Sequence, residues 1–135
     1  MKPIFLDTGY VLALELANDQ HHRDAITHWR SLHSQFPALV TTSYVFDEVV
    51  TFLKSRGYHD KAVEVGNRLI DSASVSLVQV DESLFQMAWE YLQGHRDKAY
   101  SLTDCVSFVL MNRLGITKAL AFDHHFTQAG FERQP

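Results

Sequence analysis

Four acidic residues stand where carboxylates can do chemistry. Asp7 directly follows the apolar run Ile4-Phe5-Leu6, and Asp123 directly follows Ala119-Leu120-Ala121-Phe122. Short apolar runs read as buried strands, and open parallel sheets bind ligands just beyond the carboxyl ends of their strands. Both acids would then project from one rim. An Asp at a strand end also caps the next helix or turn, so neither acid is diagnostic alone. Glu48 is more telling, because Val45, Val49, Phe52 and Leu53 form the core-facing stripe of a helix and Glu48 lies on it. A carboxylate directed at a core is costly unless it is paired or bound to a cation. Its neighbour Asp47 projects away from the stripe and reads as a solvated acid of the first turn, favoured by the helix dipole. Asp104 opens a helix that is apolar nearly all round, and Ser101-Leu102-Thr103-Asp104 fits a capping box. Capping accounts for Asp104 by itself, but the first turn of a buried helix also faces the sheet rim.

No Lys or Arg is adjacent in sequence to any of the four. Converging carboxylates would repel one another without a cation. A hard divalent ion, Mg²⁺ or Mn²⁺, prefers oxygen ligands and keeps several waters, so one or two direct carboxylates per ion suffice; zinc fits less well. The formal charge of −4 argues at first against a polyanionic partner. Setting the four acids aside leaves 12 Asp and Glu against 12 Lys and Arg, so the excess equals the candidate metal site, whose ions would reverse the local sign.

The elements that must position these acids alternate. A strand at 4–6 runs through Asp7-Thr8-Gly9 into an apolar helix from Tyr10 to Leu16, and Gln20 to Ser34 forms a second helix with Ala25, Ile26, Trp29 and Leu32 on one face. Leu39-Val40 is a short strand, and Thr42-Ser43 caps a helix running to Gly57. A helix over 59–72 and a strand over 75–80 follow. Asp81 to Gln93 carries Leu84, Phe85, Ala88, Trp89 and Leu92 on one helical face and is ended by Gly94. A polar loop leads to a helix over 102–114 closed by Gly115, and Lys118 to Phe122 is the last strand. This pattern predicts one α/β domain over 1–135, with a mainly parallel sheet and helices on both faces.

Composition supports a folded chain, with 46% hydrophobic and 21% charged residues. No apolar run approaches the ~18 to 20 residues that span a bilayer, and Asp7 interrupts the start too early for a signal peptide. A cytoplasmic protein with no membrane partner is expected. The single cysteine, Cys105, excludes an internal disulfide or a Cys-based zinc site and reads as packing. Of eight histidines, His21-His22 sits in a polar loop and reads as solvated, whereas His124-His125 flanks Asp123. Neither pair has the i, i+4 spacing of a helical metal site. Trp29, Trp89 and the Phe residues that can be placed fall on helical apolar faces and read as core. His95, Arg96, Lys98, Arg113 and His124 are candidate phosphate contacts near the rim.

Taken in order, these pieces resemble the PIN-domain family, and within it the VapC-type toxins of toxin–antitoxin pairs. The resemblance spans essentially the whole chain: a hydrophobic strand entering Asp7-Thr8, Glu48 on a helix introduced by Thr42-Ser43, Ser101-Leu102-Thr103-Asp104 at a helix start, and Asp123-His124-His125-Phe126 followed by Gly130-Phe131. Gly9 stands where the family often has a small polar residue, and Asp47 where Ala or Ser is common. The resemblance implies a three-layer α/β/α sandwich, an RNA substrate and cleavage dependent on Mg²⁺ or Mn²⁺. It makes Asp7, Glu48, Asp104 and Asp123 the catalytic, metal-holding residues, and it implies a cognate antitoxin and a homodimer, for which Val63, Leu69 and Ile70 offer an apolar face. Thr8 and Thr103 would orient carboxylates or a water through their hydroxyls, a role that tunes metal sites, although hydroxyls beside acids are also ordinary caps.

Other functions fit parts of the pattern. The acids do not choose the polymer, which leaves a housekeeping RNA-processing or DNA-directed nuclease. A non-catalytic PIN-like binding module would not need all four acids. A phosphatase of the haloacid dehalogenase type wants a second acid two residues after the first, where this chain has Gly9.

Overall fold

The computed structural model describes residues 2–135. Strand β1 (Ile4–Leu6) is buried along its whole length and lies in the middle of a five-stranded sheet. On one side it pairs in parallel with β2 (Leu39–Thr42), which pairs with β3 (Val75–Val78); on the other it pairs with β4 (Lys118–Leu120), which pairs with β5 (Glu132–Gln134). The order is β3-β2-β1-β4-β5, and every pairing is parallel. Phe5 is opposite Val40 on one side and Ala119 on the other. The chain winds outward from β1 in both directions, so the switch point lies between β1 and β4. A crevice opens there at the carboxyl ends of the strands.

Helices α1 (Thr8–Glu15) and α2 (His22–His33) connect β1 to β2, and α3 (Ser43–Ser55) and α4 (His59–Asp71) connect β2 to β3. The long return from β3 to β4 holds α5 (Glu82–Gly94) and α6 (Leu102–Leu114), and the single turn α7 (His125–Gln128) precedes β5. On α3 the predicted stripe is present. Val45, Val49 and Leu53 are fully buried, each contributing roughly 1.5–3 kcal/mol of burial free energy. The Thr42 hydroxyl accepts from the Val45 amide, the N-cap expected of it. Buried on all sides, α6 carries an unbroken run from Asp104 to Met111 with no exposed side chain.

Boundaries differ from the sequence reading where side chains or register intervene. Strand β2 extends through Thr41 and Thr42 because the Thr41 hydroxyl donates to the Leu6 carbonyl and both residues pair with β3. The third strand stops at Val78, and Ser43 Oγ accepts from the Val80 amide instead. Helix α5 includes Gly94 rather than ending before it. Its apolar face is narrower than predicted: Leu84 and Ala88 are buried, but Phe85 and Trp89 are exposed, because α5 packs mainly against α6. Trp89 is therefore not a core residue. The turn α7 and strand β5 were not expected. β5 has the polar sequence Glu-Arg-Gln, as an edge strand can, so it carries no apolar signature.

Gly115 ends α6 with φ +68°, the left-handed conformation predicted for a helix-closing glycine. A Cβ there would meet only Lys2 Nζ, at 4.0 Å. Gly115→Ala is therefore expected to cost about 1 kcal/mol, from backbone strain alone, measured by urea unfolding. A neutral substitution would mean that the helix end relaxes.

Candidate metal centre

Each of the four acids reaches the switch point from a different element. Asp7 is the first residue beyond β1, and its amide donates to the Leu120 carbonyl at 3.0 Å, which fixes it against β4. It is the N-cap residue of α1 but makes no side-chain capping bond, so capping does not explain its type. Burial, then the charges of Asp104, Glu48 and Asp123, push its carboxyl up to about 8, against an opposing hydrogen bond from the Thr8 backbone. Burial is the larger cause, and the three acids add to it from within Coulomb range of Asp7.

Glu48 is half-buried on α3, where its Oε1 accepts from the Thr8 hydroxyl at 2.7 Å. Asp47 is exposed and accepts from the Thr51 hydroxyl, as a solvated acid would. On α6, Asp104 is buried and completes the predicted capping box: Ser101 Oγ accepts from the Asp104 amide, and Asp104 Oδ2 accepts from the Ser101 amide. The same Oδ2 also accepts from His125 Nδ1 at 2.9 Å. Capping and a place in the pocket coexist at this residue. Asp123 lies three residues beyond β4, and its Oδ1 accepts from the His125 amide at 2.9 Å while its Oδ2 lies 3.1 Å from His125 Nδ1.

His125 joins two of the acids, which the sequence reading missed in favour of its neighbour. His124 is exposed, whereas the His125 ring is largely covered and packs edge-on against Tyr100. Because ionised carboxylates only accept, the bond to Asp104 takes Nδ1 as donor, and Asp123 Oδ2 lies 3.1 Å from the same nitrogen. A local signal exists: an Asp that accepts from the amide two residues on turns the chain back, so the second histidine of Asp123-His124-His125 is the one folded over the acid. Ligand atoms of Asp123, His124 and His125 lie within 4.8 Å of one another. Two carboxylates already engage His125 Nδ1, so oxygen donors dominate the pocket. That donor set suits a hard divalent cation.

The other candidates lie at varying removes. Thr8 orients Glu48. Thr103 is half-buried in the first turn of α6, where its carbonyl accepts from Ser107 Oγ. His95 is built into an aromatic cluster: it stacks on Tyr91 at 3.9 Å, and its Nδ1 is 2.7 Å from the Tyr91 carbonyl. Arg96 and Lys98 are exposed on the loop before Ser101, with Lys98 paired to Asp97. Arg113 lies near the other end of α6 from Asp104, about 13 Å along the axis, with its guanidinium on Met87 Sδ. Cys105 is fully buried, and burial beside Asp104 pushes its thiol up to about 11, which agrees with a packing role.

The PIN domain family model matches residues 4–132. The chain belongs to the PIN-domain family. Over 128 residues, 95% of each chain, it is 37% identical to the 23S rRNA-specific endonuclease VapC20 of two Mycobacterium tuberculosis strains, H37Rv and CDC 1551. The crystal structure of Mycobacterium tuberculosis VapC20, described as a sarcin–ricin loop cleaving toxin, is similar with a TM-score of 0.86 and 36% identity, covering 95% of each chain. The α/β/α PIN fold, the resemblance to VapC-type toxins and the reading as a ribonuclease all agree with these relatives. Nucleases with a PIN domain generally use divalent metals, and no helix among the described residues is long and apolar enough to cross a membrane.

Thr8→Val is a sensitive probe of this arrangement. It deletes the 2.7 Å bond that aims Glu48, and removing such an outer partner of a metal site typically costs about 10- to 100-fold in metal affinity or activity. The check is Mn²⁺ affinity by calorimetry alongside cleavage rate. An unchanged variant would mean that Glu48 is positioned by α3 alone.

Proposed function

We propose that this chain is the toxin of an antitoxin-controlled pair, a cytoplasmic endoribonuclease in which Asp7, Glu48, Asp104 and Asp123 hold Mg²⁺ or Mn²⁺. The observation that carries the metal assignment is geometric: Asp7 is buried at the end of β1, the Thr8 hydroxyl holds Glu48 beside it, and His125 bridges Asp104 and Asp123, an arrangement that raises the Asp7 carboxyl. An apo pocket of this kind is electrostatically unfavourable and a divalent ion resolves it. Residues 1–135 act as one nuclease unit. The substrate we assign is the sarcin–ricin loop of 23S rRNA, supported by 37% identity across 95% of a relative named for 23S rRNA and by the similar solved structure described as cleaving that loop.

When bound, the ions supply the positive charge that makes a water nucleophilic at neutral pH and offsets charge on the phosphoryl oxygens during in-line displacement. The protein's own part is to hold oxygens in place. The backbone bond to β4 fixes Asp7, the Thr8 hydroxyl aims Glu48, and His125 holds Asp104 and Asp123 together. Thr103, His95, Arg96, Lys98, Arg113 and His124 remain our candidates for orienting water or contacting RNA.

For the antitoxin we assign an apolar cleft of about 430 Å³ whose lining includes Leu14, Trp29, Val65 and Leu69. A homodimer would use exposed apolar side chains, Val63 and Ile70 on α4 or Phe85 and Trp89 on α5; Leu69 is buried. The test of the nuclease is incubation of purified protein with a 23S rRNA fragment containing the loop, in Mg²⁺, Mn²⁺ or EDTA. One metal-dependent cut in the loop is expected. Equal cutting in EDTA would exclude the metal role, and no cutting of this or diverse other RNA would exclude the nuclease.

A further inference from the structure

Beside the acids, on the α2 and β5 side of Phe122, lies a second recess of about 620 Å³. Its lining includes His21, Arg23, His28, Phe122 and Arg133. Phe122, which lines the recess, is the residue immediately before Asp123, so one short segment carries both a wall of the recess and one of the acids. Three rings are stacked there: Tyr10 against Phe122 at 5.8 Å and 15°, and Phe122 against His21 at 4.3 Å and 3°. The outermost, His21, is half-exposed and held by its amide, which donates to Asp19 Oδ1, while Tyr10 Oη is anchored 2.8 Å from His28 Nδ1. Arg133 reaches the Phe122 carbonyl at 2.8 Å, and Arg23, Asp24 and Arg133 all line the recess.

A planar ring platform with two arginines beside it is the combination that takes unpaired nucleotides: bases stack on the ring and guanidinium groups meet phosphates. We propose that this recess binds the single-stranded nucleotides flanking the scissile phosphate, with His21 on Phe122 as the stacking surface and Arg23 and Arg133 as phosphate contacts. The assignment rests on the nuclease reading of the acids. It places the main RNA-holding charge on α2 and β5 rather than on the loop before α6, and it explains why the polar strand β5 carries an arginine at the rim.

The experiment compares the natural protein with Arg23→Ala/Arg133→Ala, His21→Ala and a charge-keeping Arg133→Lys. Binding of a fluorescein-labelled single-stranded RNA oligomer is followed by anisotropy in EDTA across a salt series, and cleavage in Mg²⁺ is resolved into kcat and KM. The double variant should bind about tenfold or more weakly, with its salt slope reduced by about 1.4 for two lost phosphate contacts. KM should rise in step while kcat stays within about twofold. His21→Ala should weaken binding about fivefold or more, and Arg133→Lys should retain much of the affinity. Thermal melting separates these losses from misfolding. Unchanged affinity and salt slope in natively melting variants, or no RNA binding by the natural protein, would overturn the proposal. If the natural protein binds and the variants weaken but nothing is cut, the nuclease reading falls and the recess stands as an RNA site.

Discussion

Asp104→Asn is expected to lower the rate of RNA cleavage by more than about 100-fold while leaving the fold intact. The bound follows from the proposed pocket: losing an outer partner of a metal site already costs about 10- to 100-fold, and we propose Asp104 as one of the four oxygen donors themselves. Asn preserves shape and can still accept from the Ser101 amide and from His125, so the capping box and α6 should survive. What it removes is the charge. The measurement is single-turnover cleavage with Mg²⁺ or Mn²⁺, paired with circular dichroism. Asp47→Asn is the control, since Asp47 is exposed and bonded to Thr51, and it should cut at the natural rate. A natural rate for Asp104→Asn would reduce Asp104 to a helix cap.

Asp7→Asn should also abolish cleavage, yet stabilise the metal-free protein at neutral and higher pH. The Asp7 carboxyl ionises near 3.8 in a solvated chain and near 8 in the folded one. At low pH both states are protonated and the favourable contribution is fully present. As pH rises past about 4 the unfolded chain sheds this proton while the folded protein keeps it, so stability falls until the folded carboxyl ionises near 8. The full swing is about 6 kcal/mol as an upper bound. Thermal melts in EDTA should therefore show a Tm that declines between pH 5 and 8 in the natural protein and less so in Asp7→Asn, with the variant melting higher at pH 8. Adding Mn²⁺ should raise the natural protein's Tm and displace a proton, and should affect the variant less. A variant that melts lower than the natural protein at pH 8 in EDTA would mean that the carboxylate is compensated within the apo fold.

The element types were legible because the hydrophobic period was strong. Alternating strands and helices implied a parallel sheet, and the burial of Val45, Val49 and Leu53 follows the stripe read on α3. Caps were legible too, since Thr42, Ser101 and Gly115 act through bonds or torsions within a few residues. What failed lacked a local signature. β5 is a polar edge strand whose place is set by pairing with β4, and the excess width assigned to the α5 stripe reflects how one helix packs on another.

By itself the sequence determined that Asp7 and Asp123 would follow strands, that Asp104 would open a helix and that Glu48 would lie on a core-facing helical stripe of a parallel α/β domain, because spacing and local chemistry encode those positions. Only the tertiary structure decided how they meet. The strand order places β1 beside β4, which brings Asp7 and Asp123 to one crevice although more than a hundred residues separate them in the chain. Packing of α3 and α6 over that crevice then gives Thr8 to Glu48 and His125 to Asp104. The contact of His125 with two acids, the raised carboxyl of Asp7 and the arginine-lined recess behind Phe122 all depend on distances between elements remote in sequence. Burial and Coulomb interaction act through space, and a linear pattern carries neither.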